Sequence, residues 1–259
     1  MPYNRYDIKN KYNRRGRRFN ERTWVIPVLL IVLPIVMIAV ALVGILIPVK
    51  LTNDARPVIE ETTVADTSEE DVITDEMLLQ VVNEDEPLPE DYVPSIVAFG
   101  KVQVAAAISA DLKNMIDAAK ADGVELNVTT GYISFAQQGE LYKETFATLK
   151  AENDYSEVKA ESETKKICPK AGESENQTGL IVTFSSSEEG DFAQTSAGKW
   201  LTKYSVNFGF VLRYPEGKEV ETGRKADDAT YRYVGIDHAK KMRSYDMYLE
   251  EYAMHNYQR

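Results

Sequence analysis

From Trp24 to Val49 the chain runs through 26 residues without a charge or a polar side chain. At 1.5 Å per residue a helix of that length spans about 39 Å, more than the ~30 Å hydrocarbon core of a bilayer. A soluble core helix keeps polar positions on its outer face, and this stretch has none. The pattern predicts one transmembrane helix over 24–49. Beyond residue 77 the pattern changes to short alternating and helical segments. Ile108, Leu112, Met115, Ile116 and Ala119 form one stripe, predicting a helix over about 102–122 stopped by Gly123. Leu126 and Val128 alternate as in a half-buried strand. Phe135, Gln138, Tyr142, Phe146 and Leu149 predict a second helix over about 134–151. Residues 152–177 read as a polar stretch. The pattern then predicts a strand in GLIVTFS, a helix near 191–206 with Trp200 and Leu201, and a strand–turn–strand in FGFVLRYPEGKEVETG around Pro215–Gly217. A strand in TYRYVG and two short helices complete it. Helices and short strands mix without βαβ regularity, so the fold class is α+β.

Charge orients the apolar helix. Residues 1–23 carry eight Lys/Arg and two acids, whereas 51–76 carry nine acids and only Arg56. The positive-inside rule puts the basic tail, 1–23, in the cytoplasm and the C-terminal part outside the membrane. No small-x-small cleavage site follows the apolar segment, which favours an uncleaved anchor in a single-pass membrane protein. Residues 50–76 are acidic, Thr-rich and poor in aromatics, and read as an extended stalk. Residues 77–259 read as one globular, extracytoplasmic domain.

Composition removes several function classes. The net charge of −11, with a basic concentration confined to the first two dozen residues, excludes a general nucleic-acid binder. Cys168, the single cysteine, excludes an internal disulfide and any multi-Cys metal site. His238 and His255 leave few ligands for a zinc of the usual kind. There is no P-loop, GxGxxG or GxSxG motif.

Five segments nevertheless form a recognisable series: LLQVVNEDEPLPEDYVP, TGYISFAQQGELY, SENQTGLIVTF, FGFVLRYPEGKEVETG and DDATYRYVGIDHA. In this order they resemble the VanY-type D-alanyl-D-alanine carboxypeptidases of the LAS metallopeptidase family, over essentially all of 77–259. The resemblance implies a D,D-peptidase/hedgehog-type metallopeptidase fold. It also implies a zinc held by His, Asp and His, a glutamate general base, and an arginine that fixes the substrate. Matched residue by residue, the three ligand positions hold Asn176, Thr183 and Thr230. The base position holds Asp227, and the substrate-arginine position holds Ile133. Tyr132, Gln138 and Ser174 match positions near the bound peptide. A neutral amide and two hydroxyls are poor substitutes for two imidazoles and a carboxylate.

These substitutions predict a membrane-anchored pseudopeptidase with no intact catalytic residue and no zinc cofactor. Its ligand is expected to be a peptidoglycan stem peptide or a protein partner at the cell wall. Two alternatives stand beside this reading. One is an active metallocarboxypeptidase with an atypical site, in which Glu173, Glu175 or Asp228 supplies oxygen ligands. The other is a scaffolding protein with a vestigial cleft.

Overall fold

The computed structural model describes residues 73–257. The basic tail, the expected transmembrane helix and the stalk as far as residue 72 lie outside the described residues. Among the described residues no helix is long and apolar enough to cross a membrane.

A short helix opens this part of the chain: α1, Asp75–Leu79, whose first turn is capped by the Thr74 hydroxyl accepting from Met77 N–H. The expected boundary between stalk and domain, 76/77, therefore falls inside a helix, and the folded part begins no later than Thr74. Two strands follow, β1 (Ile96–Phe99) and β2 (Val102–Ala105), paired antiparallel. Helix α2, Ala106–Ala121, then begins four residues later than the stripe predicted. The reason is Val102 and Val104, which alternate and pair with β1 before the helical period starts at Ile108. Ile108, Leu112, Met115 and Ala119 are fully buried, as the stripe required.

The main sheet has four antiparallel strands in the order β3-β4-β6-β5. They are β3, Asn127–Thr130; β4, Ile181–Ser185; β5, Phe210–Tyr214; and β6, Asp227–Tyr233. Alternation divides their side chains between two cores. Val182, Phe184, Phe210, Tyr231 and Tyr233 join the stripe of α2 and Trp200 and Leu201 of α5, Ser196–Tyr204. Val211 lies in a second cluster with Leu79 of α1 and residues of two closing helices, α7 (Ile236–Tyr245) and α8 (Leu249–Tyr257). The two-stranded hairpin meets the main sheet where two glycines allow it. A Cβ on Gly131 would stand 2.2 Å from the Gln103 carbonyl oxygen, and one on Gly179 would stand 2.7 Å from Ala105 N. Gly179 also has φ +69°, which a side chain would resist.

Two expectations fail on helices. The polar stretch contains a helix, α4 (Glu157–Ile167), with Ser156 capping its start, and it packs against the long helix α3 (Phe135–Asn153). It shows no apolar period because only Ala160 and Thr164 are buried. The second strand expected after Pro215–Gly217 is instead a four-residue helix, α6 (Glu219–Thr222). Val220 there is 93% exposed, so its alternation never meets a partner strand.

One buried charge cluster joins these parts. Glu175, 2% exposed, receives Arg213 through Nε and Nη2 at 2.9 and 2.8 Å and Arg232 Nη1 at 3.0 Å. Val82 N–H also reaches Glu175 Oε1, at 3.4 Å. Arg213 continues to Glu250 on α8 at 2.6 and 3.2 Å. Arg232 Nη2 donates to the carbonyls of Met77, Leu78 and Gln80. Two carboxylates thus balance two guanidiniums, and α1, β5, β6 and α8 are all attached to them. Burial acts to raise the Glu175 carboxyl, but the Arg213 and Arg232 charges outweigh it and hold the group below the usual carboxylate range.

Glu175→Gln leaves two buried cations short of a counter-charge. It should lower the unfolding free energy by about 3–5 kcal/mol in urea titration. The sign of the pH effect follows from the depressed carboxyl. Its stabilisation is complete above the ordinary glutamate value of 4.5 and is lost as pH falls through the lower folded value. The melting temperature should therefore fall below about pH 4.5, and less steeply in Glu175→Gln than in the native chain.

Candidate functional site

The cluster fixes a six-residue segment, Ser174–Gly179, at the end of the sheet. A 3₁₀ turn spans Glu175–Thr178, with the Thr178 hydroxyl donating to Glu175 O at 2.7 Å. Gln177 accepts from Gly172 N–H at 2.7 Å. Asn176 sits between these buried neighbours and is half-buried. Its Nδ2 donates to Gly131 O at 3.1 Å, and its carbonyl accepts from Ile133 N–H at 3.2 Å. Asn176 is thereby held against the segment that follows β3.

Thr130, Thr183 and Thr230 form a row across three strands. Thr130 pairs with Thr183, and Thr183 pairs with Thr230, in the antiparallel registers. The Thr183 and Thr230 hydroxyl oxygens stand 2.9 Å apart. Thr230 donates to Asp227 Oδ2 at 2.6 Å, and Asp227 Oδ1 accepts from Ala229 N–H at 2.9 Å. The sheet thus brings the base-position carboxylate and two of the three ligand-position residues into one hydrogen-bonded chain. Asn176 is tied to the same neighbourhood through Gly131, next to Thr130.

Of the peptide-contact candidates, Gln138 and Ser174 lie beneath the surface, each 2% exposed. Gln138 Nε2 donates to Pro169 O at 2.7 Å and meets Cys168 Sγ at 3.3 Å, fastening the long helix to the segment before the 3₁₀ turn. The Ser174 hydroxyl lies 3.4 Å from Asn176 Oδ1. Any role they have toward a ligand passes through the elements they hold. Tyr132 and Ile133 are half-buried beside Asn176. Ser134, next in the chain, caps the long helix reciprocally with Gln137. Cys168 is a half-buried thiol, which burial pushes up. His238 is a structural link: Nδ1 contacts the Tyr252 hydroxyl at 2.9 Å and Nε2 lies 3.3 Å from Asp75.

These residues do not fit zinc. Two ligands of a tetrahedral zinc stand about 3.3 Å apart, given metal–ligand bonds of ~2.0 Å. The threonine oxygens are closer than that because they bond each other, and neither is a thiolate, imidazole or carboxylate. Glu175, a candidate for a displaced oxygen-ligand site, is enclosed by both guanidiniums. Asp228, another, has its carboxyl raised by burial and then by the neighbouring Asp191 carboxylate. Among the described residues no group of three or more His, Cys, Asp or Glu side chains is arranged to hold a metal ion.

Comparison with known proteins places this arrangement in a family. The family model described as VanY, D-alanyl-D-alanine carboxypeptidase, matches residues 101–236. The chain belongs to the VanY D-alanyl-D-alanine carboxypeptidase family. A D-alanyl-D-alanine carboxypeptidase of Enterococcus faecalis is 36% identical over 198 residues, covering 74% of this chain and 71% of its own length. The structure of VanYB in complex with D-alanine-D-alanine is similar with a TM-score of 0.61 at 34% identity, covering 67% of this chain and 96% of that one. The LdcB LD-carboxypeptidase, whose structure addresses peptidoglycan recognition, gives a TM-score of 0.59 at 32% identity, covering 69% and 86%. The VanY assignment agrees with the fold class read from the five segments. Sequence reasoning assigned no role to Arg213 and Arg232. Their counter-charge, Glu175, was legible as an acid beside the ligand positions but not as their shared partner.

Gln138→Ala removes the donor that Pro169 O requires while leaving the helix intact. Urea unfolding should show a loss of about 1–3 kcal/mol, the cost of a buried carbonyl left unpaired.

Proposed function

We propose that this protein is a non-catalytic member of the VanY family that binds peptides of the cell wall. The reading is carried by one observation: Thr183, Thr230 and Asp227 satisfy one another. Without a metal, water is too weak an acid to supply hydroxide at neutral pH, whereas a zinc-bound water ionises near 7. Asp227 is engaged by Thr230 and by Ala229 N–H, and a lone carboxylate does not replace the charge stabilisation that a metal provides.

The relatives support a ligand class. VanYB is known in complex with D-alanine-D-alanine, and LdcB bears on peptidoglycan recognition. A stem peptide, or a wall protein presenting a similar end, is the corresponding ligand here, with Tyr132 and Thr183 as the half-buried side chains able to touch it. The charge-free span 24–49 anchors the protein as a single pass, and the eight cations before it hold the N-terminus in the cytoplasm. The domain then works on the outer face, where its ligand is found.

Elemental analysis of the purified full chain should find no stoichiometric zinc, and incubation with a stem peptide ending in D-Ala-D-Ala should release no D-alanine. One equivalent of zinc, with release that a chelator stops, would overturn this reading. Protease added to intact cells should degrade the C-terminal domain and spare an epitope fused before residue 24; the reverse pattern would refute the stated orientation.

A further inference from the structure

Strand β1 is an edge. Its partner β2 lies on one side, and among the described residues no strand pairs with it on the other. The register settles which backbone groups face outward. Ala106 N–H donates to Ser95 O at 2.8 Å, so these two residues form a hydrogen-bonded pair. Along an antiparallel ladder such pairs alternate with pairs that do not bond. Val97 opposite Val104 and Phe99 opposite Val102 therefore bond across the hairpin, whereas Ile96 and Ala98 do not. The N–H and C=O groups of Ile96 and Ala98 point away from β2 and have no partner among the described residues.

An edge of this kind is usually blunted by a charge, a proline or a bulge, because an unpaired apolar strand is a template for another strand. Within β1, Ile96–Phe99, none of these is present. The uncharged strip is longer still, running from Tyr92 to Gly100. Val93 is 66% exposed and Val97 36%.

Charge and symmetry point to one occupant. The chain carries a net charge of −11, so two copies repel each other except where they meet on a neutral strip. A two-fold axis through Val97 sets Ile96 of one copy opposite Ala98 of the other, and the outward N–H and C=O groups of each satisfy those of its counterpart. Val97 then faces the partner's Val97 as a non-bonded pair, the closer kind, with Cα atoms about 4.5 Å apart. The first charges beyond the strip are Asp91 at one end and Lys101 at the other. The same axis turns each Lys101 toward the acidic end of the other copy.

We propose that two copies of this chain associate by antiparallel pairing of β1 with β1, centred on Val97. The contact is short and so transient beside the interfaces of permanent dimers, which makes covalent trapping the suitable readout.

The full chain in detergent is oxidised with copper phenanthroline, and disulfide-linked dimer is followed on non-reducing gels. Val97→Cys places two thiols on the axis, at a Cα separation within the roughly 4.4–6.8 Å that a disulfide spans. Val158→Cys is the control, on α4 at a side chain 79% exposed. The native chain, whose thiol is Cys168, gives the background. Val97→Cys should cross-link roughly tenfold or more faster than Val158→Cys, as thiols held together do against thiols that meet by collision. Ala98→Pro removes an outward N–H and no bond to β2, a position where an edge strand tolerates proline. Added to Val97→Cys, it should bring the rate down to that of the control, and melting temperatures establish that the variants fold. Cross-linking of Val97→Cys no faster than Val158→Cys would overturn the proposal by itself. Fast cross-linking that persists in folded Ala98→Pro would overturn it as well.

Discussion

A single carboxylate, Glu175, holds two guanidiniums in a space closed to water. An isolated charge there would cost several kcal/mol, and each partner alone would be as costly. Together with Glu250 the four groups cancel, and their hydrogen bonds reach α1, the 3₁₀ turn, β5, β6 and α8. Burial pulls Arg232 down and Glu175 raises Arg213, but arginine stays protonated throughout. The geometry of the candidate site depends on this arrangement, because Asn176 is the residue after Glu175 and Thr230 lies two before Arg232.

The same frame explains how a metallopeptidase fold persists beside residues that do not suit a metal. The frame is set by buried charges and two cores, none of which needs the ligand positions. Side chains at 176, 183 and 230 can therefore change without disturbing the sheet, provided that they satisfy one another. Here they do so through hydroxyls: Thr183 and Thr230 face each other directly across β4 and β6, and the chain ends on Asp227. A half-buried hydroxyl left without a partner would cost about 1–3 kcal/mol, which makes closure of this chain the favoured state.

Much of this was legible in the sequence, and the failures share a cause. The stripe of α2, the strands β4 and β6 and the positions of Asn176, Thr183 and Thr230 follow from periodicity and from the motif series. The helix Glu157–Ile167 was not legible, because it buries only Ala160 and Thr164 and so has no apolar period. The Glu219–Thr222 helix was misread because Val220 alternates without touching anything. Gln138 and Ser174 resembled ligand contacts, yet which side of the surface a polar residue occupies depends on partners 31 and 2 positions away, Pro169 and Asn176. The pairing of Glu175 with Arg213 and Arg232 spans 38 and 57 positions and has no local signature.

The central claim is that Asn176, Thr183 and Thr230 form a self-satisfied set with no capacity for zinc. Crystals of the protein grown in millimolar Zn²⁺, with diffraction data collected on both sides of the zinc absorption edge, test it most directly. The account predicts no anomalous peak among the three residues and hydroxyl oxygens still in contact at about 2.9 Å. A fully occupied zinc ion bonded to all three, with the hydroxyls separated to admit it, would contradict the account.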